Sequence, residues 1–154
     1  MKLLHTALLF FIGAVSVANA ADITIFYSPS CPHCHHAREF IKNELIYEYD
    51  DLKVTEINAT VSENRQKFID TINKCKYKSG GVPVMVIGDD CFQGYGDSLR
   101  DVMRASIESD LTDAQKQSAQ SNRKELNENR DAFVAAHSDR LNAITNSDEN
   151  VKKK

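Results

Sequence analysis

A chain of 154 residues, 42% hydrophobic and 27% charged, has the length and ordinary composition of one globular domain. Its 19 basic and 22 acidic residues leave a formal charge of −3, so nothing in the charge balance favours a polyanion, and nucleic acid is excluded as an expected partner.

The first twenty residues stand apart. Lys2, an apolar run from Leu3 to Val17 and the triplet Ala18-Asn19-Ala20 read as a secretory signal peptide over residues 1–20, with the mature chain starting near Ala21. The run is shorter than the roughly 20 residues a membrane span requires, which sets cleavage against the alternative of a retained anchor, and no membrane association is expected once the leader is gone. A periplasmic or secreted location follows. It places the four cysteines, Cys31, Cys34, Cys75 and Cys91, in an oxidising compartment.

Ile23 to Tyr27 is a short apolar, β-rich run bounded by Asp22 and Ser28-Pro29-Ser30, as a buried central strand requires. From Pro32, the apolar positions Ala37, Phe40, Ile41 and Leu45 recur at helical spacing and predict a helix to about Tyr47. Val54 to Asn58 reads as a second strand. Thr60-Val61-Ser62-Glu63 has the form of a capping box opening a second helix, with Phe68, Ile69, Ile72 and Cys75 on one face. Val82-Pro83-Val84-Met85-Val86-Ile87 predicts a third strand, and the turn residues Gly88-Asp89-Asp90 return it as an antiparallel edge strand, Cys91 to Gly94. Asp97 or Ser98 is positioned to cap a third helix carrying Leu99, Val102, Met103 and Ile107.

These elements make an α/β domain over residues 21–110, a four-stranded mixed sheet flanked by three helices. Beyond it, residues 111–154 contain no glycine or proline, and Thr112-Asp113-Ala114-Gln115 is another capping box. One long helix from about Asp113 to Ile144 is predicted, with Leu126, Phe133, Val134, His137, Leu141 and Ile144 on a sparse stripe and a frayed end from Asn146. Such a helix either docks on its own domain or forms a homodimer or partner contact.

The chemistry centres on Ser30-Cys31-Pro32-His33-Cys34-His35-His36. Two cysteines spaced this way at a helix start form a redox couple. The first, Cys31, faces the unpaired N–H groups of the helix N-terminus, which favour thiolate over thiol; Cys34 lies one turn in, placed to close or resolve a disulfide. Pro32 suits the first helical position, and His33 can set a donor or a positive charge beside the thiolate. Alternatives are an inert disulfide, a soft-metal site using the cysteines with His33, His35 and His36, or haem attachment through Cys31-Pro32-His33-Cys34-His35. Cys75 and Cys91 are left either as a second, structural disulfide or as two buried thiols.

Phe26-Tyr27-Ser28-Pro29-Ser30-Cys31-Pro32-His33-Cys34, then Gly81-Val82-Pro83-Val84-Met85-Val86-Ile87-Gly88 and Gly94-Tyr95-Gly96-Asp97, resemble the thioredoxin superfamily and its glutaredoxin-like branch, from Ile23 to about Ile107. The tetrapeptide Cys-Pro-His-Cys is similar to that of DsbA-type periplasmic oxidases. The resemblance implies a thioredoxin fold, a cis Pro83, and a Val82-Pro83 ledge that offers backbone to an extended substrate segment. Ser28 stands where glutaredoxins usually carry a lysine for glutathione, so protein thiols and disulfides are the expected substrates. The expected function is exported thiol-disulfide oxidoreductase, oxidase- or isomerase-leaning, working with a redox partner protein and no cofactor or metal. Cys31 is the expected nucleophile, Cys34 the resolving cysteine and His33 the tuner. The alternatives are a reductase of the same fold, or a non-enzymatic metal-binding or metal-delivery protein.

Overall fold

The computed structural model describes residues 22–147, so the expected signal peptide lies outside the described residues. Strand β1 (Ile23–Tyr27) leads into helix α1 (Pro32–Phe40), which runs through a π-helical turn, Ile41–Leu45, into the short α2 (Ile46–Glu48). Strand β2 (Val54–Asn58) follows, then α3 (Arg65–Lys74), the hairpin β3 (Val84–Ile87) and β4 (Asp90–Gln93), and α4 (Arg100–Glu108). The tail supplies α5 (Asp113–Glu128), α6 (Arg130–Ala136), a 3-10 segment Ser138–Ala143 and strand β5 (Ile144–Asn146).

The sheet order is β4-β3-β1-β2-β5. β1 runs parallel to β2 and antiparallel to β3, β3 is antiparallel to β4, and β2 is parallel to β5. The mixed α/β architecture stands as expected and differs in detail: among the described residues the sheet has five strands rather than four, and there are six α-helices, α1 to α4 before the tail and α5 and α6 within it. The fifth strand comes from residues expected to end a helix or to fray. Val54 pairs with Ile144 and Glu56 with Asn146, and Thr145 Oγ1 donates to the Val54 carbonyl at 3.2 Å. An edge of β2 that would otherwise present bare backbone groups is thereby covered.

Strand alternation sorts the side chains into two layers. Ile23, Ile25, Met85 and Ile87 face α1, α4 and the tail, packing with Ala37, Phe40, Met103, Ile107, Leu126 and Phe133. Phe26, Ile57 and Val84 face the other way, against Phe68, Ile72 and Tyr77 of α3 and the turn after it. The α3 side is thin: none of that helix is fully buried, and Ile69, expected on its apolar face, is 41% exposed.

Local chemistry explains where the predicted caps fail. Asn58 Oδ1 takes both the Thr60 N–H at 3.0 Å and the Thr60 hydroxyl at 2.7 Å, so Thr60 closes an Asx-type turn instead of capping a helix. The α3 helix starts later, after the 3-10 turn Ser62–Asn64. Neither Asp97 nor Ser98 caps α4 with its side chain; Asp97 instead pairs with Arg100 at 3.0 Å. At Thr112 the predicted box does form, with hydroxyl and Gln115 side chain bonded reciprocally to backbone N–H groups. The β3–β4 turn uses Gly88 at φ 57°, the positive φ that the first position of a two-residue II′ hairpin loop demands.

The predicted single tail helix is broken twice. Asn129 at φ −136° separates α5 from α6, and His137 at φ −120° ends α6. The tail docks on its own domain through Leu126 and Phe133 and through polar contacts to the π-helical turn, to α2 and to Asp50 just after it. Arg140 reaches the Tyr47 carbonyl and Asp50; Asn122 Nδ2 donates to the Glu48 carbonyl at 3.1 Å; Arg130 pairs with Glu44 at 2.5 Å. No described helix is long and apolar enough to cross a membrane.

Candidate active site

Buried β1 delivers the chain to Ser28-Pro29-Ser30, and Pro32 at the first helical position starts α1 at once, leaving Cys31 as its N-cap. The Cys34 backbone N–H donates to Cys31 Sγ at 3.1 Å, one of the orphan donors that every helix start leaves. The Cys31 and Cys34 sulfurs are bonded, with Cα atoms 5.2 Å apart. Their environments differ in the way exchange chemistry needs. Cys31 is half-buried at the rim, whereas Cys34 is 1% exposed and packed in the domain.

The Val82–Pro83 peptide bond is cis, and the Val82 carbonyl oxygen lies 3.5 Å from Cys31 Sγ. Residues more than fifty positions apart thus meet at one sulfur. Pro83 is buried beneath, and its carbonyl accepts the Gly94 N–H at 2.8 Å, which ties the segment into the start of the sheet. Gly94, at φ 82°, takes a conformation for which glycine is suited.

His33, His35 and His36 are all exposed on the first turns of α1. His35 Nε2 lies 3.0 Å from Glu39, one helical turn on. Among the described residues, no three His, Cys, Asp or Glu side chains converge as a metal site would require.

Cys75 and Cys91 are also bonded to each other, with Cα atoms 5.8 Å apart. The bridge ties the C-cap of α3 to β4. A Schellman turn presents Cys75: Tyr77 N–H donates to the Ile72 carbonyl at 3.0 Å and Lys76 N–H to the Asn73 carbonyl at 3.1 Å. Lys76 holds the left-handed position at φ 56°.

Two polar groups near the site were not anticipated from the sequence. Arg38, four residues after Cys34, makes a bidentate pair with Glu56 on β2, at 2.9 and 2.6 Å, and lies 4.1 Å from the Tyr27 ring centroid. Glu56 is only 7% exposed, so this forked pair is what satisfies a carboxylate on an otherwise apolar strand. The spacing of Cys34 and Arg38 was the available signal, one helical turn on the same face. The second is Gln93, on β4, which bonds to the backbone leading to Val82.

No family model matches the chain, and no curated protein does. Among solved structures it is similar to the glutaredoxin Grx-1 from Archaeoglobus fulgidus, at 24% sequence identity over 55% of this chain and 87% of that one, with a TM-score of 0.42.

Proposed function

We propose that the chain is an exported thiol-disulfide oxidoreductase of the thioredoxin superfamily, acting on protein substrates through Cys31 and Cys34 and leaning towards oxidation or isomerisation. The observation that carries the reading is the placement of one sulfur. Cys31 Sγ caps a helix, receives the Cys34 N–H at 3.1 Å and faces the Val82 carbonyl at 3.5 Å, while its partner sulfur is buried. An accessible sulfur whose anion is stabilised by backbone dipoles is both the atom an incoming thiolate can reach and the better leaving group.

In the oxidising direction a substrate thiolate attacks Cys31 Sγ. The Cys31–Cys34 bond breaks, its electron pair passes to Cys34, which takes up a proton, and a mixed disulfide joins substrate to Cys31. A second substrate thiolate then attacks the substrate sulfur of that bond, and Cys31 leaves as the thiolate. The substrate is oxidised by two electrons and the site holds two reduced sulfurs, which a partner oxidant must recharge. The reverse sequence reduces a substrate disulfide, with Cys34 resolving. Helix-end stabilisation of the Cys31 thiolate favours the reduced site and so the oxidising direction. Val82 and Pro83 form the ledge along which an extended substrate segment lies, His33 tunes the thiolate from the exposed first turn, and the Cys75–Cys91 bridge is structural.

Thiol-oxidation and disulfide-reduction assays test this with Cys31→Ser and Cys34→Ser. Cys31→Ser abolishes exchange in both directions, and Cys34→Ser accumulates a mixed disulfide with a peptide substrate. Exchange that survives Cys31→Ser refutes the assignment. A reduction potential near about −120 mV places the protein with oxidases and one near about −270 mV with reductases.

A further inference from the structure

The backbone from Ser79 to Pro83 belongs to neither α3 nor β3, yet it must present Val82 to Cys31. One side chain holds it. Gln93 pairs with Val84 across the β3–β4 ladder, and its Nε2 donates to two carbonyls of this segment, Ser79 at 2.8 Å and Gly81 at 3.1 Å. A primary amide is suited to this task, since its single nitrogen carries two hydrogens and can satisfy two acceptors. The next residue continues the grip, Gly94 N–H bonding to the Pro83 carbonyl at 2.8 Å. Carbonyls 79, 81 and 83 are thus each taken from the β4 side, and carbonyl 82 is the one at Cys31 Sγ. Cys91, two residues before Gln93 and on the same face of β4, closes the other end of the loop through its bridge to Cys75.

We infer that Gln93 is a positioning residue for protein substrates: it fixes the register of residues 79–83 so that the Val82 backbone is set for an extended peptide beside Cys31. This rests on the exchange reading of Cys31 and Cys34. Gln93 touches neither sulfur, so it bears on substrates that use the ledge and much less on a small disulfide that needs only the sulfur. Hydrogen-bonded placement of this kind is a selectivity device, because a peptide must match backbone groups whose spacing Gln93 sets.

The test compares Gln93→Leu, similar in size without a donor, and Gln93→Glu, similar in shape without an amide hydrogen, against the unsubstituted chain. Each is assayed with a cysteine-containing peptide disulfide and with hydroxyethyl disulfide, and the Cys75–Cys91 bridge is verified by mass. The expected result is a roughly tenfold fall in the ratio of peptide to small-disulfide kcat/KM in both variants, carried mainly by KM, the worth of about one hydrogen bond's placement. An unchanged ratio overturns the inference, whether both rates hold or both fall together. If the unsubstituted chain exchanges with neither substrate, the exchange reading itself fails and the assignment of Gln93 falls with it.

Discussion

Arg104 on α4 grips the carboxylate of Glu48 at the end of α2, with Nη2 2.6 Å from Oε1 and Nε 2.9 Å from Oε2, and Glu48 has no exposed surface. Arg123 of α5 adds a further contact, Nε to Oε2 at 2.8 Å, and goes on to Glu108 at 3.1 Å. One buried carboxylate at the end of α2 therefore joins the α1–α2 layer to both α4 and the tail. Its hydrogen bonds hold the Arg104 guanidinium above its ordinary pKa, so the cation is secure. Removing one partner of a buried pair costs about 3–5 kcal/mol; both arginines keep some solvent access, which favours the lower end. Glu48→Gln is expected to lose about 3 kcal/mol in denaturant unfolding, and Glu48→Leu with Arg104→Met to lose less than the two single variants together. A Glu48→Gln midpoint within error of the parent contradicts this.

Tyr49, beside it, predicts an alkaline limit to stability. Burial, then the hydroxyl's 2.7 Å donation to Glu108, push its pKa well above the ordinary value of 10.0. The native state keeps the phenol proton that the unfolded chain surrenders above about pH 10, so stability is complete below that pH and falls as pH rises from there towards the higher native pKa, by up to about 1.4 kcal/mol per pH unit. Tyr49→Phe is expected to be less stable near neutrality by about 1 kcal/mol, for the lost hydroxyl bonds, yet to fall less steeply above pH 10. Parallel curves for the two proteins in denaturant titrations from pH 8 to 11 rule this out.

Lys76 sits at φ 56° in the turn that presents Cys75. A side chain in the left-handed region costs about 1–2 kcal/mol, and glycine's extra unfolded-state freedom gives back about 0.5–1 of that. Lys76→Gly is therefore expected to raise stability by about 0.5–1 kcal/mol, seen as a higher denaturant midpoint at constant slope. A lower midpoint means that the lysine makes contacts worth more than the strain.

The elements that could be read from the sequence are those fixed by neighbours in the chain. β1 and β2 have the predicted bounds because short apolar runs between turn residues leave little choice. The Thr112–Gln115 box is local and forms as read. What was hidden depends on partners far away. Ile144-Thr145-Asn146 is too short to show a strand period, and it becomes β5 only because β2 offers a bare edge ninety residues earlier. The breaks at Asn129 and His137 carry no glycine or proline to announce them. The capping pattern at Thr60 does not form because Asn58, two residues before, competes for the same groups. In the candidate site, the cysteine spacing and the Val-Pro pair were legible as motifs; a lone glutamine on an edge strand has no pattern, and Gln93 emerges only from its two bonds.

The most direct test of the account is the titration of the Cys31 thiol, followed by its alkylation rate against pH in Cys34→Ser with the Cys75–Cys91 bridge intact. That variant keeps the residue 34 N–H which donates to the sulfur. A helix-capping thiolate is expected to titrate at least one unit below the ordinary cysteine value of about 8.5, at about 7.5 or lower. A midpoint at about 8.5 or above contradicts the account.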